Sequence, residues 1–539
     1  MAGRDDYSVP ALPRPYTMHL HGILPRAAVV LGVLSLTLGA LAAGHSASCC
    51  SKLSNLLPKA VYYPGADAAA SNGGDPSISF TALNTHRWSN TSILNPACIL
   101  RPTSAADLGS AVSHLATAKC PFAVKSGGHT PVPGANDIDG GVSIDLSGLA
   151  QTVYLPSSGG DVVRLGVGAT WQMAYDALVV PHGIGFPGGL CGTTGVGGVA
   201  LGGGQSVFQP KVGWVMDNVV EYEMVLATGE VVVVNAGTRG DLFKALKGGG
   251  LAANFGIVTR VDVKAFPLPG GKVWGGALIM PVTDAIKSQT LQAITAYTAL
   301  NNEDTDAATQ VLMTYGSNGV SVIEIALFNG AGEANSTAMQ PIMAMSNYNV
   351  AGVGQWGSTT LDALIKGFDP AQPWGLRDLG ATVTFVNDDA TIRAVQNVTD
   401  AVYETIKHIP NLNYVFIYTP QPQVTNSYSA AAGGNMLGLA GTTVDRVVVL
   451  LVPSWEDPQY DAAVVQALQN WTTQVQAVTQ ALGKADGFQY ANFASSFQKP
   501  LCTYGRDNVD FMKSMAAKYD PGAVFQTLAP GGFKVANAC

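Results

Sequence analysis

The chain has 539 residues, of which 47% are hydrophobic and only 12% are charged, and its formal net charge at pH 7 is −8. This length exceeds what one hydrophobic core usually organises, so two domains are expected. Because nucleic-acid binding requires clustered Lys and Arg, the acidic balance argues against a nucleic-acid partner.

Residues 1–43 are predicted to be a cleaved signal peptide. Arg14 and Arg26 precede an apolar run over residues 27–42, and small residues follow it. The run is short for a full membrane span and is followed by a pattern typical of cleavage sites. The segment predicts a secreted protein without stable membrane association.

Because secreted proteins form disulfides, the number of cysteines, which is seven, is informative. An odd number leaves at least one thiol outside any intramolecular disulfide. If Cys191 carries a bound group, the other six can all pair, and the alternative that Cys49 or Cys50 stays unpaired is left open. Four sequons are compatible with glycosylation: Asn90, Asn335, Asn397 and Asn470.

The segment from residue 44 to residue 270 is predicted to alternate short strands with short helices. Apolar residues at helical spacing predict helices over residues 103–117, 170–179 and 241–247. Strands are predicted to begin at residues 98 and 254 and to cover residues 122–125, 141–146, 162–167, 222–226 and 231–234. Because the regular strand–helix–strand rhythm is missing, a parallel doubly wound sheet is not expected.

Two glycine-rich segments interrupt these elements. Ser126-Gly127-Gly128-His129 is the first, and the second covers residues 188–198 and continues to Gly204. Dense glycine lets main-chain N–H groups approach a ligand directly, and successive N–H groups form anion sites. The segments therefore predict a phosphate-bearing cofactor, and the neighbouring His129 and Cys191 suggest that it is attached covalently.

A second unit is predicted after the Pro- and Gly-rich residues 267–271. A helix over residues 284–300 and strands over residues 320–328, 415–418 and 447–452 indicate an α+β unit with an antiparallel sheet. The last segment contains a further helix that ends at Asp520-Pro521-Gly522.

The sequence lacks the motifs that several other kinds of catalytic or ligand-binding site require. The histidines have no metal-ligand spacing, so no metal site is expected. The chain also has no G-x-S-x-G nucleophile elbow, no P-loop and no dinucleotide fingerprint with its acidic partner. A phosphate ligand must therefore be held by another glycine-rich architecture.

The loop Lys125–His129 resembles the flavin-attachment loop of the berberine bridge enzyme-like FAD-linked oxidases, which have the p-cresol methylhydroxylase-type fold. The resemblance implies a bond from His129 to the flavin 8α carbon. The segment from Cys191 to Gly198 is similar to the family's pyrophosphate loop. In bicovalent members a cysteine at the position of Cys191 also bonds flavin C6.

The resemblance extends over most of the chain. It includes Gly248–Thr259, Asn435–Leu439, the C-terminal segment, and Tyr490–Ala494, which is similar to a Tyr-x-Asn-Tyr-Ala strand with Phe493 in place of the second Tyr. It implies an α+β fold with a two-part FAD-binding domain, residues 44–270 and 490–539, and a substrate domain over residues 271–489.

The resemblance also implies the site residues. The cofactor-binding set is Ser126, Gly127, Gly128, His129, Thr130, Cys191, Thr193, Thr194, Gly195, Gly197, Gly198, Gly256, Ile257, Val258 and Asn492. Tyr490 is implied as the catalytic base. Tyr418 is a second candidate, with ordinary core packing as the alternative for both tyrosines.

These features predict a secreted oxidase with covalent FAD. It would take a hydride from an alcohol carbon of a carbohydrate or secondary metabolite, and O2 would reoxidise the flavin to give H2O2. In plant members of the family that this chain resembles, a small Val at the position of Thr194 marks oxidases and Leu marks dehydrogenases, so the size of Thr194, close to that of Val, implies access of O2. The alternatives are an oxidative cyclase or desaturase and a catalytically silent flavin-binding protein, and the sequence leaves the substrate and oligomeric state open.

Overall fold

Four β-sheets and the helices around them form the described part of the chain. The computed structural model describes residues 45–65, 78–317, 319–350, 354–369 and 373–539. The predicted signal peptide lies outside these residues.

The first sheet has four strands, in the order Val61–Tyr62, Cys98–Leu100, Val142–Asp145 and Phe122–Lys125. The last three are parallel and the first is antiparallel to its neighbour. The helix Ala105–Ala118 connects two of them, and it begins where the Ser104 hydroxyl accepts the N–H of Asp107 at 3.1 Å. The strand Phe122–Lys125 leads directly into the first glycine-rich loop.

The second sheet has five antiparallel strands. Two short segments from the same stretch of the sequence form a separate two-stranded ribbon. The order is Thr152–Leu155, Val162–Gly166, Ile257–Lys264, Val219–Val225 and Val231–Asn235. The last two strands form the predicted hairpin. The ribbon pairs Ile184–Gly185 with Phe266–Pro267.

The largest sheet is antiparallel in every described pairing and confirms the predicted antiparallel unit. Its strands, in order, are Trp356–Thr360, Lys272–Pro281, Ser321–Asn329, Ala307–Gly316, Asn413–Gln421, Arg446–Trp455, Ala381–Val386 and Ala485–Asp486, with Arg377–Asp378 paired to Arg446–Trp455. We call this the large sheet.

The remaining helices pack on these sheets. One side of the large sheet shares a hydrophobic core with the helices Asp284–Leu300, Asp389–Ile406 and Asp461–Ala481. Residues 45–56 are helical. The other helices are Phe80–Thr85, Trp171–His182, Val196–Gly202, Gln209–Val212, Gly240–Gly249, Gln340–Met343, Leu361–Lys366, Val424–Ala431, Arg506–Tyr519 and Val524–Thr527.

Two large hydrophobic cores lie within one compact unit that extends from Ser46 to Cys539. One combines buried residues from the first two sheets with residues from the C-terminal helices, such as Met512 and Phe525. The other lies under the large sheet. The boundaries proposed near residues 270 and 489 stay predictions.

Three disulfides use six of the seven cysteines. Cys49–Cys120 and Cys50–Cys98 tie the helical residues 45–56 to the first sheet. The third bond joins Cys502 to Cys539. Cys191 is left as a buried free thiol, which confirms that the other six can all pair.

Within the described residues, no helix has both the length and the apolar character that crossing a membrane requires.

Candidate active site

A cavity of about 400 Å³ lies between the glycine-rich loops and the large sheet. Its lining comes from segments that are far apart in the sequence. They include residues 126–136, 189–205, 250–258, 490–494 and 529–533, together with side chains from one face of the large sheet. The cavity brings together nearly all the predicted site residues.

The two glycine-rich loops meet backbone to backbone at this cavity. A Cβ atom on Gly127 would lie 2.5 Å from the Gly195 Cα, and one on Gly195 would lie 2.4 Å from the Gly127 nitrogen. The Ser126 hydroxyl donates to the carbonyl of Val167 and anchors the first loop. Glycine at both contact positions therefore allows the loops to form one continuous floor.

His129 lies on this floor, and its ring is held by aromatic neighbours. Trp88 stacks on it with ring centroids 4.5 Å apart and planes inclined by 7°, and Trp374 meets it edge-on at 6.2 Å. The start of the loop is fixed by a fully buried ion pair between Lys125 Nζ and Asp145 at 2.8 Å. The orientation of the imidazole is thus set before any ligand binds.

Cys191 lies at the edge of the same floor. Its Sγ is 3.2 Å from the Thr193 hydroxyl and 3.7 Å from an Asp369 carboxylate oxygen. Burial, together with the Asp369 charge, raises the pKa of the Cys191 thiol to about 11. The side chain is therefore a neutral thiol at neutral pH.

The two threonines after Cys191 have different positions. The Thr194 hydroxyl donates to the Cys191 carbonyl at 2.7 Å, and Thr194 lines the cavity. Thr193 is not among the residues that line it, and its hydroxyl contacts the Cys191 sulfur. Its role in binding the cofactor stays a prediction. Gly195, Gly197 and Gly198 all line the cavity, as do Gly127, Gly128 and Thr130.

A third segment closes the floor at the predicted residues Gly256, Ile257 and Val258. Just before it, Ala252 and Ala253 have φ angles of 56° and 53°, a left-handed conformation that costs energy for alanine. Neighbouring side chains hold this strained turn: Lys534 Nζ donates to the Ala252 carbonyl.

Tyr490 and Asn492 lie on a 3-10 turn, Ala491–Phe493, so the predicted strand at Tyr490–Ala494 is wrong. The Tyr490 hydroxyl accepts the N–H of Gly204 at 2.9 Å, and burial raises its pKa. The Asn492 amide donates to the carbonyl of Gly198 at 3.0 Å. Both residues line the cavity and brace the second glycine-rich loop.

Tyr418 lies away from the cavity, which corrects its assignment as a candidate base. It belongs to the core under the large sheet, and its hydroxyl donates to Gln396 Oε1 at 2.5 Å. Because side chains alternate along a strand, its neighbour Ile417 lines the cavity instead. The structure thus supports ordinary core packing for Tyr418.

The wall opposite the loops was not predicted from the sequence. Leu312, Val415, Ile417 and Leu450 form a separate apolar cluster on the large sheet, and all four line the cavity. Glu324 lines it on the same sheet. Period-two alternation along these strands was the signal that could have found them, once the strand faces were known.

Gln205 was also missed. Its side chain is 5% exposed and lines the cavity, and neither its amide nitrogen nor its amide oxygen has a hydrogen-bond partner within the described residues. A buried amide without partners costs free energy unless a ligand satisfies it. Gln205 therefore marks a polar contact point for a bound molecule.

Comparisons with known proteins agree with this geometry. The FAD binding domain family matches residues 96–235. The FAD-dependent monooxygenase drtC of Aspergillus calidoustus is 31% identical over 459 residues, which cover 84% of this chain and 85% of that protein. The chain belongs to the family of FAD-dependent oxidoreductases that includes this relative.

Another relative within this family is the bifunctional solanapyrone synthase of Alternaria solani, which is 29% identical over 466 residues and covers 85% of each chain. A xylooligosaccharide oxidase from Myceliophthora thermophila, solved with xylobiose, has the same fold, with a TM-score of 0.70, 18% identity, and coverage of 91% of this chain and 99% of that one. A glucooligosaccharide oxidase from Acremonium strictum, which carries a 6-S-cysteinyl, 8α-N1-histidyl FAD, has a TM-score of 0.68 at 18% identity and covers 86% and 96%. These structures confirm the p-cresol methylhydroxylase-type α+β fold.

The residues of the cavity fit the cofactor of this family. A Cβ on Gly198 would meet nothing within 4 Å, so the backbone there leaves open space. A glycine-rich backbone of this kind can approach a pyrophosphate without intervening side chains. His129 lines the same cavity and carries a nucleophilic ring nitrogen.

Proposed function

We propose that this protein is an FAD-linked oxidase that converts a hydroxyl group of a small molecule to a carbonyl. The observation that carries the proposal is the continuous floor made by two glycine-rich loops, with the imidazole of His129 held against it by Trp88. The proposal includes a covalent bond from His129 to the flavin and, at Cys191, a second one.

The chemistry separates into what the cofactor supplies and what the chain supplies. Bound FAD supplies an acceptor for the hydride of the substrate carbon. Gly127, Gly195 and Gly198 bind and position the cofactor, and Tyr490 and Gln205 orient polar groups next to it. The aliphatic wall excludes water from the space where the substrate binds.

The wall favours a secondary metabolite over a carbohydrate as substrate. Sugars require several hydrogen-bonding side chains, because an unpaired buried hydroxyl is costly. Leu312, Val415, Ile417 and Leu450 instead present a contiguous apolar surface. A molecule with a hydrophobic skeleton and few hydroxyl groups fits this surface better.

A second candidate, an oxidative cyclase or desaturase, shares the same first step. The apolar wall favours it as well, since an oxidised hydrophobic product held there can react further before release. The relative named as a bifunctional solanapyrone synthase supports keeping this candidate. A catalytically silent flavin-binding protein is the remaining alternative.

Peptide mapping of the purified protein tests the attachment. We expect a flavin on the peptide that contains His129, and a cross-link between that peptide and the one containing Cys191. His129→Ala should abolish the first attachment, and Cys191→Ser should leave it intact. Colourless wild-type protein from a riboflavin-replete host would contradict the proposal.

A substrate panel with peroxide detection tests the activity. It should contain oligosaccharides, such as cellobiose and xylobiose, and apolar alcohols, such as cinnamyl alcohol and 2-naphthalenemethanol. We expect peroxide with the apolar alcohols. Turnover of the sugars alone would contradict the substrate class, and yellow protein inactive on every compound would favour the silent alternative.

A further inference from the structure

Glu324 occupies an unusual position in the cavity. Among the described residues that line the cavity, it is the only Asp or Glu, and no Lys or Arg lines it. A lone carboxylate in an otherwise uncharged cavity needs a reason, because burial of an unpaired charge is unfavourable. Within the described residues, Glu324 has neither an ion pair nor a side-chain hydrogen bond to offset that cost.

The position of Glu324 in the large sheet is defined by strand register. It lies on the strand Ser321–Asn329, directly opposite Ile279 on one side and Leu312 on the other. Leu312 is in turn paired with Ile417, and Ile417 with Leu450. The carboxylate therefore ends a row of aliphatic side chains that all line the cavity.

This environment makes the carboxylate a stronger base than an exposed glutamate. Burial raises the pKa of Glu324, and the residues opposite it on both neighbouring strands are uncharged. The other titratable groups that line the cavity, within the described residues, are His129, Cys191 and Tyr490. Of these, Tyr490 is a poor proton acceptor at neutral pH, because burial raises its pKa and its hydroxyl oxygen already accepts the N–H of Gly204.

We propose that Glu324 is the catalytic base that accepts the proton of the substrate hydroxyl. This proposal rests on the proposed oxidase function. The O–H proton moves to the carboxylate while the carbon loses its hydrogen as a hydride to FAD, and a C=O bond forms. Glu324 then returns the proton to solvent, and O2 takes the two electrons and two protons to give H2O2, so that the overall reaction is alcohol plus O2 to carbonyl plus H2O2.

The row of aliphatic side chains next to Glu324 indicates how a substrate would lie in the cavity. A substrate laid along Leu312, Ile417 and Leu450 places its polar end beside Glu324. The geometry thus selects molecules that are apolar along their length and carry a hydroxyl group at one end. It disfavours carboxylates, since two like charges would meet in an apolar space.

The first experiment compares Glu324→Gln, Glu324→Asp and Tyr490→Phe with the wild-type holoprotein. Glu303→Gln is the matched control, because it makes the same chemical change at an exposed glutamate that lies near Glu324 in the sequence. Bound flavin is quantified first, by absorbance after acid precipitation, and should be equal in all five proteins. Absence of flavin from all of them would be a failure of the proposed function rather than of this inference.

Anaerobic stopped-flow reduction by 2-naphthalenemethanol then measures the chemical step. Glu324→Gln should lower the limiting reduction rate by about 100-fold or more, with little change in substrate affinity. Glu324→Asp should retain an intermediate rate, and Tyr490→Phe should lose less than Glu324→Gln. The wild-type rate should rise with pH through one ionisation that is missing in Glu324→Gln. A Glu324→Gln rate within threefold of wild type would overturn the proposal.

A binding measurement tests the role of Glu324 independently of catalytic turnover. Fluorescence titration with 2-naphthol and 2-naphthoate compares a neutral probe with a charged one. Glu324→Gln should bind 2-naphthoate at least about tenfold more tightly than wild type, because the like-charge repulsion is gone, while 2-naphthol affinity changes little. Equal affinity of both proteins for 2-naphthoate would place the carboxylate outside the site and overturn the proposal.

Discussion

Gly195 and Gly198 are three residues apart, and the chain needs glycine at them for different reasons. At Gly195 the backbone of the other loop occupies the place of a side chain, since a Cβ would lie 2.4 Å from the Gly127 nitrogen. At Gly198 that place is open and faces the cavity. The first glycine is required for packing, and the second leaves room for the ligand.

This difference predicts opposite outcomes for two alanine variants. Gly195→Ala should lower the free energy of unfolding by about 1 to 3 kcal/mol, because backbone atoms cannot move aside cheaply. Gly198→Ala should keep or slightly raise stability within its helix, but it should reduce flavin content. Thermal melts of flavin-free protein, paired with flavin absorbance, measure both effects. Equal loss of stability in the two variants would contradict this explanation.

We expect the size of the Thr194 side chain to control how fast O2 reoxidises the flavin. Its side chain lines the cavity and is held by a hydrogen bond to the Cys191 carbonyl. Thr194→Leu should fill the space beside the flavin and slow reoxidation by O2 by about tenfold or more, which corresponds to about 1.4 kcal/mol in the barrier. Thr194→Val, which keeps the size and removes only the hydroxyl, is the control. Stopped-flow mixing of reduced protein with air-saturated buffer gives the rates, and fast reoxidation of Thr194→Leu would contradict the assignment.

At the residue scale, local motifs could be predicted from the sequence and long-range contacts could not. His129 and Thr194 lie on glycine-rich segments whose composition indicates their role. Glu324 and Gln205 carry no such local signal. Their importance comes only from which strands become neighbours and which atoms are left without partners, and no short window of sequence contains that information.

The strand Asn413–Gln421 contributes side chains to both the hydrophobic core and the cavity. Its residues alternate between the helix-covered core, which contains Tyr414, Phe416 and Tyr418, and the cavity, which receives Val415 and Ile417. A change on one side should therefore affect stability, and a change on the other should affect substrate binding.

Tyr418→Phe tests this division. Loss of the buried hydrogen bond to Gln396 should lower the free energy of unfolding by about 1 kcal/mol. The rate of flavin reduction should remain within twofold of wild type, because the hydroxyl faces the core. Denaturant unfolding and the anaerobic reduction assay measure the two quantities. A large fall in the reduction rate with unchanged stability would restore Tyr418 as a candidate for catalysis.

Element prediction succeeded where local signals were complete. The helix Asp284–Leu300 has its predicted bounds, since the Thr283 hydroxyl accepts the N–H of Ile286 and starts it. The segment Tyr490–Ala494, which the family resemblance implied to be a strand, contains a turn that is held by its contacts with the Gly198 and Gly204 backbone. Tertiary hydrogen bonds decided that conformation.

For the whole molecule, the fold class was predicted correctly, the disulfide partners were left open by the sequence, and the large sheet was predicted only in part. Its strand order joins residues from 272 to 486, and some strands that pair in the sheet, such as Lys272–Pro281 and Trp356–Thr360, are far apart in the sequence. The position of the apolar wall follows from that order. This is why the resemblance to a family indicated the cofactor side of the cavity and left the substrate side undefined.

The predicted signal peptide and the four sequons together predict glycosylation at exposed sites. The asparagines of all four sequons are exposed, but the Asn90 amide already donates to the Gly375 carbonyl at 2.6 Å. We expect glycans at Asn335, Asn397 and Asn470, and less at Asn90, when a eukaryotic host exports the protein. Mass spectrometry before and after N-glycosidase treatment measures occupancy, and Asn470→Gln should remove one glycan. Unglycosylated protein retained inside the cell would contradict the prediction.

The lining of the cavity includes residues 529–533, near the C-terminus, as well as residues 126–136. During synthesis on the ribosome, the early loops emerge long before the late segment that completes the enclosure. A half-built floor offers the cofactor only some of its contacts. We therefore expect a product truncated before residue 529 to capture less flavin than the full chain and to be colourless.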